Sequence, residues 1–576
     1  MRRCGLLLVV LAGCSKPAVV SFVDVTAGSG ITFTHTTGAT GRKLLPETMG
    51  AGAGVLDFDG DGHPDLVFVN GRRWPGDGHP TGGPATTPAL YRNRGDGTFL
   101  DVTAGSGLDV ELQGMGVAVG DFDNDGRPDV FVTAVGGSRL FRNVGGRFAD
   151  VTERAGVAGG KPWGQKSDFC GTEMPILFPA SATWLDYDGD GRLDLFVCEY
   201  LTWSPAADRA VDAVLPGGRR AYVPPTQFPA GGCHLYRNRG DGTFEDVTAT
   251  SGVGTATGKP LGLIACDPDG DGWPDVLVAC DTTRNLFFHN LPDGNGGRKY
   301  EERGLTVNAA YASDGQPRGG MGVDAAELRP GAFGVAVANF SNEPTTLLTL
   351  TAAGPLAFRD TAAAAGLAGP SRGPMKFGAV FLDYDADGRP DLLTANGHLE
   401  PDIAAAVPGQ THPQAAQLFR NAGERFESVT AKDVGPGLFA PTVGRGLAVG
   451  DFDGDGVPDV VLTANGGPAR LLRCVDTTGR KRLRLDLVGN GTTTNRDAVG
   501  ADVAVTAGGV ERRFSVTGSR GYLSSSERTV TAGLDRAEAA DRVRVRWPGG
   551  GWQEWAGLAA GAYRLVQGVP AAERVR

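Results

Sequence analysis

Short apolar runs and acidic turns alternate along most of the chain. In AGVLDFDGDGHPDLVFVNG (residues 53–71) and GVAVGDFDNDGRPDVFVTAV (residues 116–135), β-branched stretches flank a turn of nine residues. The runs are too short for helices, and they read as the two strands of a hairpin. The turn, Asp-x-Asp-x-Asp-Gly-x-x-Asp, recurs six times, starting at residues 57, 121, 186, 267, 383 and 451. The fourth interval, 116 residues, is nearly twice the others, so a copy should be hidden inside it. GGMGVDAAELRPGAFGVAVANFSNEPTTLL supplies it. Setting Asn339 against Asn396 places Ala326, Leu328, Pro330 and Gly334 where the aspartates should stand. The strands survive there and the acidic turn is lost.

A second signature, LYRNRGDGTFLDVTAGSGL, recurs between the turns as LFRNVGGRFADVTERAGV, LYRNRGDGTFEDVTATSGV and LFRNAGERFESVTAKDVG. Its Asn-x-Gly-Asp-Gly core suits a hairpin turn with residues at positive φ. The chain opens with a related element, SFVDVTAGSGI, while the last unit lacks one. A ring in which the N-terminal strand completes the seventh unit explains both. Units of roughly 60 residues with several strands each imply propeller blades. The expected fold is all-β, a seven-bladed β-propeller with a smaller β-rich region after it. Ring closure also protects the edge strands.

The turns carry the chemistry. Alternate aspartates at positions one, three and five aim three carboxylates at one centre, glycine at six allows the chain to reverse, and position nine adds a fourth carboxylate. Hard cations take six to eight oxygens, and this is the logic of a shortened EF-hand loop. The predicted Ca²⁺ ligands are Asp57, Asp59, Asp61, His63 and Asp65; Asp121, Asp123, Asp125, Arg127 and Asp129; and Asp186, Asp188, Asp190, Arg192 and Asp194. The other three sites are Asp267, Asp269, Asp271, Trp273 and Asp275; Asp383, Asp385, Asp387, Arg389 and Asp391; and Asp451, Asp453, Asp455, Val457 and Asp459. Position seven varies among His, Arg, Trp and Val, so only its backbone carbonyl is a candidate ligand. Position two (Phe58, Phe122, Tyr187, Pro268, Tyr384, Phe452) is always ring-shaped and is expected to face the core. Mg²⁺ fits less well, because it holds its waters and demands octahedral geometry.

Composition then changes the reading of charge. The formal net charge is −11, and the six turns hold 24 of the 66 acidic residues. Six Ca²⁺ would bring the chain to about +1, so the acidity is metal-site charge. No basic stripe or nucleic-acid motif appears, and no nucleic-acid partner is expected.

The start, MRRCGLLLVVLAGCSKPA, joins two arginines, a short apolar run and small residues before Cys14. It reads as a secretory signal over residues 1–13, too short to be a final membrane anchor. Leu11-Ala12-Gly13-Cys14 resembles a bacterial lipobox, which implies lipidation at Cys14, a tether over 14–21 and a membrane-anchored lipoprotein at the outer membrane or cell surface. Six cysteines remain, and Cys170 with Cys233 is the one disulfide pairing expected from their irregular surroundings.

With repeats, turns and closure established, residues 22–475 resemble the FG-GAP/VCBS repeat propellers related to the integrin α head. LVGNGTTTNRDAVGADVAVTAGG, GSRGYLSSSE and VRVRWPGGGWQEWAGL resemble the ASPIC/UnbV domain, over residues 476–570, with a tail at 571–576. The pairing is that of the cartilage acidic protein family, here in a bacterial lipoprotein form. The resemblance implies calcium binding and an extracytoplasmic home. TVTAGLD at 529–535 lacks the histidine the family often has there. The runs at 502–505 and 542–547 alternate as strands of a small β domain.

Function is expected where the repeat is interrupted. One interruption, residues 202–232, carries Trp203 and Tyr222. The other, NGHLEPDIAAAVPGQTHPQAAQ, carries His398, Glu400, Asp402 and His412. THTTGATGRKLLPE adds His35 and Glu47. Trp203, Tyr222, His398 and Glu400 are the candidate ligand-binding residues. Arg94-Gly95-Asp96 and Arg239-Gly240-Asp241 spell RGD but lie inside the repeated turn. There is no His-Glu-x-x-His, Gly-x-Ser-x-Gly or phosphate loop, and no catalytic residue is expected. The favoured reading is a calcium-stabilised, membrane-anchored surface module recognising an unknown protein or glycan. Two alternatives are an extracytoplasmic enzyme acting on a polysaccharide or glycoconjugate, and a structural envelope component. A central funnel lined by carboxylates and histidine would favour the enzyme.

Overall fold

The acidic turns join paired strands. Ala53–Leu56 runs antiparallel to Asp65–Phe68 across the first turn, and Gln113–Gly120 to Asp129–Val135 across the second. The second signature adds a third and fourth strand, Ala89–Asn93 and Phe99–Asp101 in the first unit. The computed structural model describes residues 19–74, 86–159, 176–351 and 355–575; Cys14 and Cys170 lie outside them. Among the described residues, seven four-stranded sheets fall between Val20 and Asp476. Their first strands pack against one another in chain order, and Gly444–Gly450 of the last returns to Ala53–Leu56 of the first. The arrangement is a closed, propeller-like ring.

Closure follows the opening sequence. Val20–Asp24 pairs antiparallel with Arg470–Asp476 as the outermost strand of the last sheet, with Phe22 opposite Cys474. This explains why the final unit lacks its own fourth strand. The first strands are buried on both faces, which is why they read as runs of Val, Leu, Ala and Gly. The ring residues at position two point inward, and all six are buried.

The hidden unit is a full sheet, with Gly320–Arg329 paired to Ala332–Asn339. Only Pro330 and Gly331 separate the two strands, and Arg329 pairs with Ala332. The turn is shorter than an alignment by equal length assumes, and this shifts one assignment. Leu328 was expected at the third position. Its carbonyl instead accepts Asn421 Nδ2 at 2.8 Å, the partner that residue two provides in neighbouring turns.

Beyond Asp476 the chain forms two further four-stranded sheets. In one, Lys481–Val488 pairs parallel to Gly561–Val566 and antiparallel to Val530–Asp535. In the other, Asp502–Ala507 lies between Val510–Ser515 and Ala539–Arg546. Leu483, Leu485, Val503, Val543 and Trp547 fill the space between them.

A segment of this region leaves its own sheets and enters the axis of the ring. Gly521 exchanges backbone hydrogen bonds with Val323 at 3.0 and 2.9 Å, Val117 N donates to the Leu523 carbonyl at 3.1 Å, and Val55 N donates to the Ser525 carbonyl at 2.9 Å. First strands of several units are thus bonded to one inserted strand-like segment. The approach requires glycine. A Cβ on Gly52 would lie 2.1 Å from the Leu523 carbonyl oxygen. Gly116, on the next unit's first strand, likewise packs on Leu523.

Candidate metal centres and the closed ring

Each acidic turn is wound around its own first aspartate. Asp57 Oδ1 accepts Gly60 N at 2.9 Å, and Oδ2 accepts Gly62 N at 2.9 Å. Gly62 sits at φ 85°, the conformation that L side chains avoid. The ninth residue ties the turn to the sheet: Asp65 Oδ2 accepts Phe58 N at 3.0 Å, and Oδ1 accepts Asn93 N at 2.7 Å. Equivalent bonds recur at Asp129, Asp194, Asp391 and Asp459. The ninth aspartate is therefore an anchor as well as a candidate ligand.

Carboxylate oxygens converge as a cation site requires. Those of Asp57, Asp59 and Asp61 lie within 4.8 Å of one another, as do those of Asp121, Asp123 and Asp129, of Asp186, Asp188 and Asp194, and of Asp267, Asp269 and Asp271. Asp123 Oδ1, Asp188 Oδ1 and Asp451 Oδ1 are buried with no hydrogen-bond donor. A buried acceptor left without a donor is costly, and a hard cation satisfies it. Burial pushes the Asp65 and Asp129 carboxyls up to about 8 and about 9, and neighbouring aspartates add to the rise. The donor set, all oxygen and mostly anionic, fits Ca²⁺. Three position-seven side chains act as cationic partners of the turn rather than as ligands: Arg127, Arg192 and Arg389 pair with Asp125, Asp190 and Asp387.

The sequence alone made these turns look unneutralised, but the third strand corrects that. Arg92 reaches Asp59 at 2.6 Å and Asp61 at 3.0 Å. Arg142, Arg237, Arg420 and Arg473 make the corresponding pairs. The second and third turns thus combine four aspartates with two arginines, a formal −2 that one divalent ion cancels, and the turn starting at Asp383 adds Arg480 to Arg389 and Arg420.

The asparagine after that arginine was read only as part of a hairpin. Its larger role is to bind one sheet to the next. Asn143 Nδ2 donates to the Phe58 carbonyl at 2.8 Å, Asn238 to Phe122 at 2.7 Å, Asn290 to Tyr187 at 2.9 Å, and Asn93 to Phe452 at 2.8 Å, closing the ring. The signal was present as the recurrent Arg-Asn pair, but which carbonyl it meets depends on the neighbouring unit.

The turn face is covered by the C-terminal region. Arg480 Nη1 donates to the Asp385 carbonyl at 2.9 Å and Arg482 Nη2 to the Tyr384 carbonyl at 2.9 Å. Arg484 pairs with Asp451 and Glu527. Arg482 and Arg484 share one face of the strand Lys481–Val488, and Arg480 immediately precedes it. Arg512, Arg546 and Arg496 reach the turns at Gly388, Asp267 and Asn124.

The opposite face carries the candidate ligand-binding residues. The two interrupting segments and the segment around His35 do converge, but on one another. Trp203 Nε1 donates to Asp208 Oδ2 at 2.7 Å. Tyr222 N donates to Glu400 Oε1, and Lys43 Nζ to Glu400 Oε2, both at 2.5 Å. Glu400 N donates to His398 Nδ1 at 3.0 Å. Trp203, His398 and Glu400 are buried, and Tyr222 is partly so. Their polar groups fasten the loops to one another over the ring. Glu47 takes Trp74 Nε1 at 3.2 Å, and burial lifts its carboxyl to about 7. Tyr522, Leu523, Met115, Phe377 and Trp203 fill the axis as one apolar cluster. The funnel expected of an enzyme is occupied by the chain itself. Both RGD aspartates cap their own turns, Asp96 accepting Thr98 N and Asp241 accepting Thr243 N at 2.9 Å. Cys233 stands opposite Cys198 on the adjacent strand, the sulfurs 3.9 Å apart.

A family model described as FG-GAP-like repeat matches residues 57–132, 121–197, 226–278 and 395–462, and one described as ASPIC and UnbV matches 491–570. Cartilage acidic protein 1 of Mus musculus is 24% identical over 534 residues, covering 88% of this chain and 71% of that protein. The Homo sapiens protein is 25% identical over 458 residues, covering 76% of this chain and 60% of its own length. A solved structure, YCF48 from Cyanidioschyzon merolae, aligns with a TM-score of 0.36 at 10% identity, over 74% of this chain and 97% of that one. The chain is an FG-GAP and ASPIC/UnbV protein, homologous to cartilage acidic protein 1 over most of its length.

Proposed function

We propose that this protein is an extracytoplasmic binding module, a seven-bladed propeller stabilised by calcium and held near a membrane by a lipid on Cys14. The observation that carries the reading is the filled axis. Tyr522 and Leu523 occupy the channel, and arginines of the C-terminal region lie on the turns. A ligand then meets the loop surface on the far side. There the exposed stretch around Val214 and Arg219 joins the second interruption through Arg219–Asp402 at 2.9 Å. No helix among the described residues is long and apolar enough to cross a membrane, so the anchor in this reading is the acyl chain. A single chain binds only marginally, so stable anchoring in this reading needs a second acyl chain or another membrane contact.

The test is a glycan-array and envelope-extract binding screen with and without calcium, run on the intact protein and on a variant with residues 212–219 replaced by a short Gly-Ser link. Binding lost in the variant, at an unchanged melting temperature, supports the reading. Equal binding by both, or no ligand in either condition, counts against it. Acyl labelling that persists in Cys14→Ser would remove the anchor.

A further inference from the structure

One acidic turn differs from the rest in what faces it. In five units the third-strand residue beside the turn is arginine: Arg92, Arg142, Arg237, Arg420 and Arg473. In the fourth unit the same register holds His289, followed by Asn290 just as Arg92, Arg142, Arg237 and Arg420 are each followed by asparagine. The exchange changes the chemistry. A guanidinium can only donate to the aspartates, whereas a neutral imidazole offers a nitrogen lone pair.

The geometry around His289 is that of a ligand set. His289 Nδ1 lies 3.4 Å from Asp275 Oδ2, and Nε2 lies 3.7 Å from Asp269 Oδ2. One nitrogen of His289 and oxygens of Asp269 and Asp275 all fall within 4.8 Å of one another. His289 is 6% exposed and Asp275 2%. His289 Nδ1 and Asp275 Oδ2 are buried against each other as an ion pair without the alignment of a hydrogen bond, and no other hydrogen-bond partner reaches either atom. Two ligands about 2.0–2.1 Å from a tetrahedral zinc ion stand roughly 3.3 Å apart, close to the gap observed.

We propose that the fourth turn holds a first-row transition-metal ion of the zinc class, bound by His289, Asp275 and Asp269, while the other five acidic turns take calcium. Imidazole favours zinc, copper, iron and nickel, whereas all-oxygen sets suit calcium and magnesium. Asp269 belongs to both possible groupings in this turn, the second being Asp267, Asp269 and Asp271, so one ion occupies it. The inference lowers the calcium count of the reading above from six to five but does not rest on it.

The experiment uses the untagged full chain, stripped with chelator and then supplied with Zn²⁺ in excess Ca²⁺, with both metals counted after desalting. One tightly held zinc per chain is expected in the wild type and none in His289→Arg, which places the residue of the other five turns in this one. His289→Gln, which keeps a neutral polar side chain, guards against a folding defect and should also lose zinc. X-ray absorption of the zinc-loaded wild type should show imidazole scattering. Zinc displaced by excess calcium, zinc retained by both variants, or an all-oxygen absorption spectrum would overturn the assignment. Calcium counted in the same samples reports on the calcium reading separately.

Discussion

The asparagine bridges between sheets give the most direct test of what holds the ring. Asn238→Ala removes three contacts at a residue 1% exposed: Nδ2 to Phe122 O at 2.7 Å, Nδ2 to Leu193 O at 2.9 Å, and Gly240 N to Oδ1 at 2.9 Å. Each buried bond is worth about 1 kcal/mol net, and stranding the Phe122 carbonyl adds about 1 kcal/mol or more. The expected loss is roughly 3 to 5 kcal/mol. Asn238→Asp should be worse still, because a carboxylate cannot donate and would face two carbonyls. The assay is urea unfolding in calcium buffer, read as a fall in midpoint at unchanged slope. Asn295→Ala is the control, since Asn295 is exposed and lies outside the bridges. A loss below about 1 kcal/mol, or an aspartate variant as stable as the alanine one, would refute the reasoning.

Other expectations concern metal, the axis and pH. At about 1 mM Ca²⁺ and a Kd of about 0.1 mM, each site adds roughly 1.4 kcal/mol, so excess EGTA should lower the melting temperature sharply; an unchanged melt would remove calcium's structural role. Tyr522→Ala should cost about 3–5 kcal/mol, and Tyr522→Phe, which loses only the hydroxyl and its contacts with Met49 O at 3.1 Å and Met49 Sδ at 3.6 Å, about 1 kcal/mol. A neutral alanine variant would mean the insertion does not support the ring. Glu47 is raised to about 7, chiefly by burial. The stability tied to its protonated form is complete below the unfolded value, near 4.3, and is lost as pH rises through 7. Glu47→Gln should therefore gain on the wild type between pH 5 and 8, by up to about 3 kcal/mol. Parallel pH profiles of the two proteins would show that Glu47 does not titrate in this way.

The turns were legible because their candidate ligands are local. Four aspartates and a glycine within nine residues state a cation site whatever the rest of the chain does, and the intervals between copies revealed even the unit that has lost its acids. The partners of those aspartates were not legible. Arg142 and Asp123 are 19 residues apart, and nothing in a repeated Leu-Phe-Arg-Asn says the arginine turns back on the loop rather than out to water. His289 shows the same limit, since its significance appears only when it occupies an arginine's register.

The interruptions held polar residues that composition flagged as a ligand site, and the structure spent them on closing a face. Glu400 met Lys43, 357 residues away, and both left solvent together. From sequence alone the protein is a ring of β units, closed by its first strand and carrying acidic turns. These follow from period, alternation and spacing, which are local properties of the chain. Only the tertiary structure decided that a C-terminal segment packs along the axis of the ring. Tyr522 lies more than 45 residues beyond the last unit of the ring, and its place at the axis depends on how one domain docks on another. That docking is a long-range packing choice, made by glycines that admit a backbone and by arginines that reach across to the turns, and no local pattern encodes it.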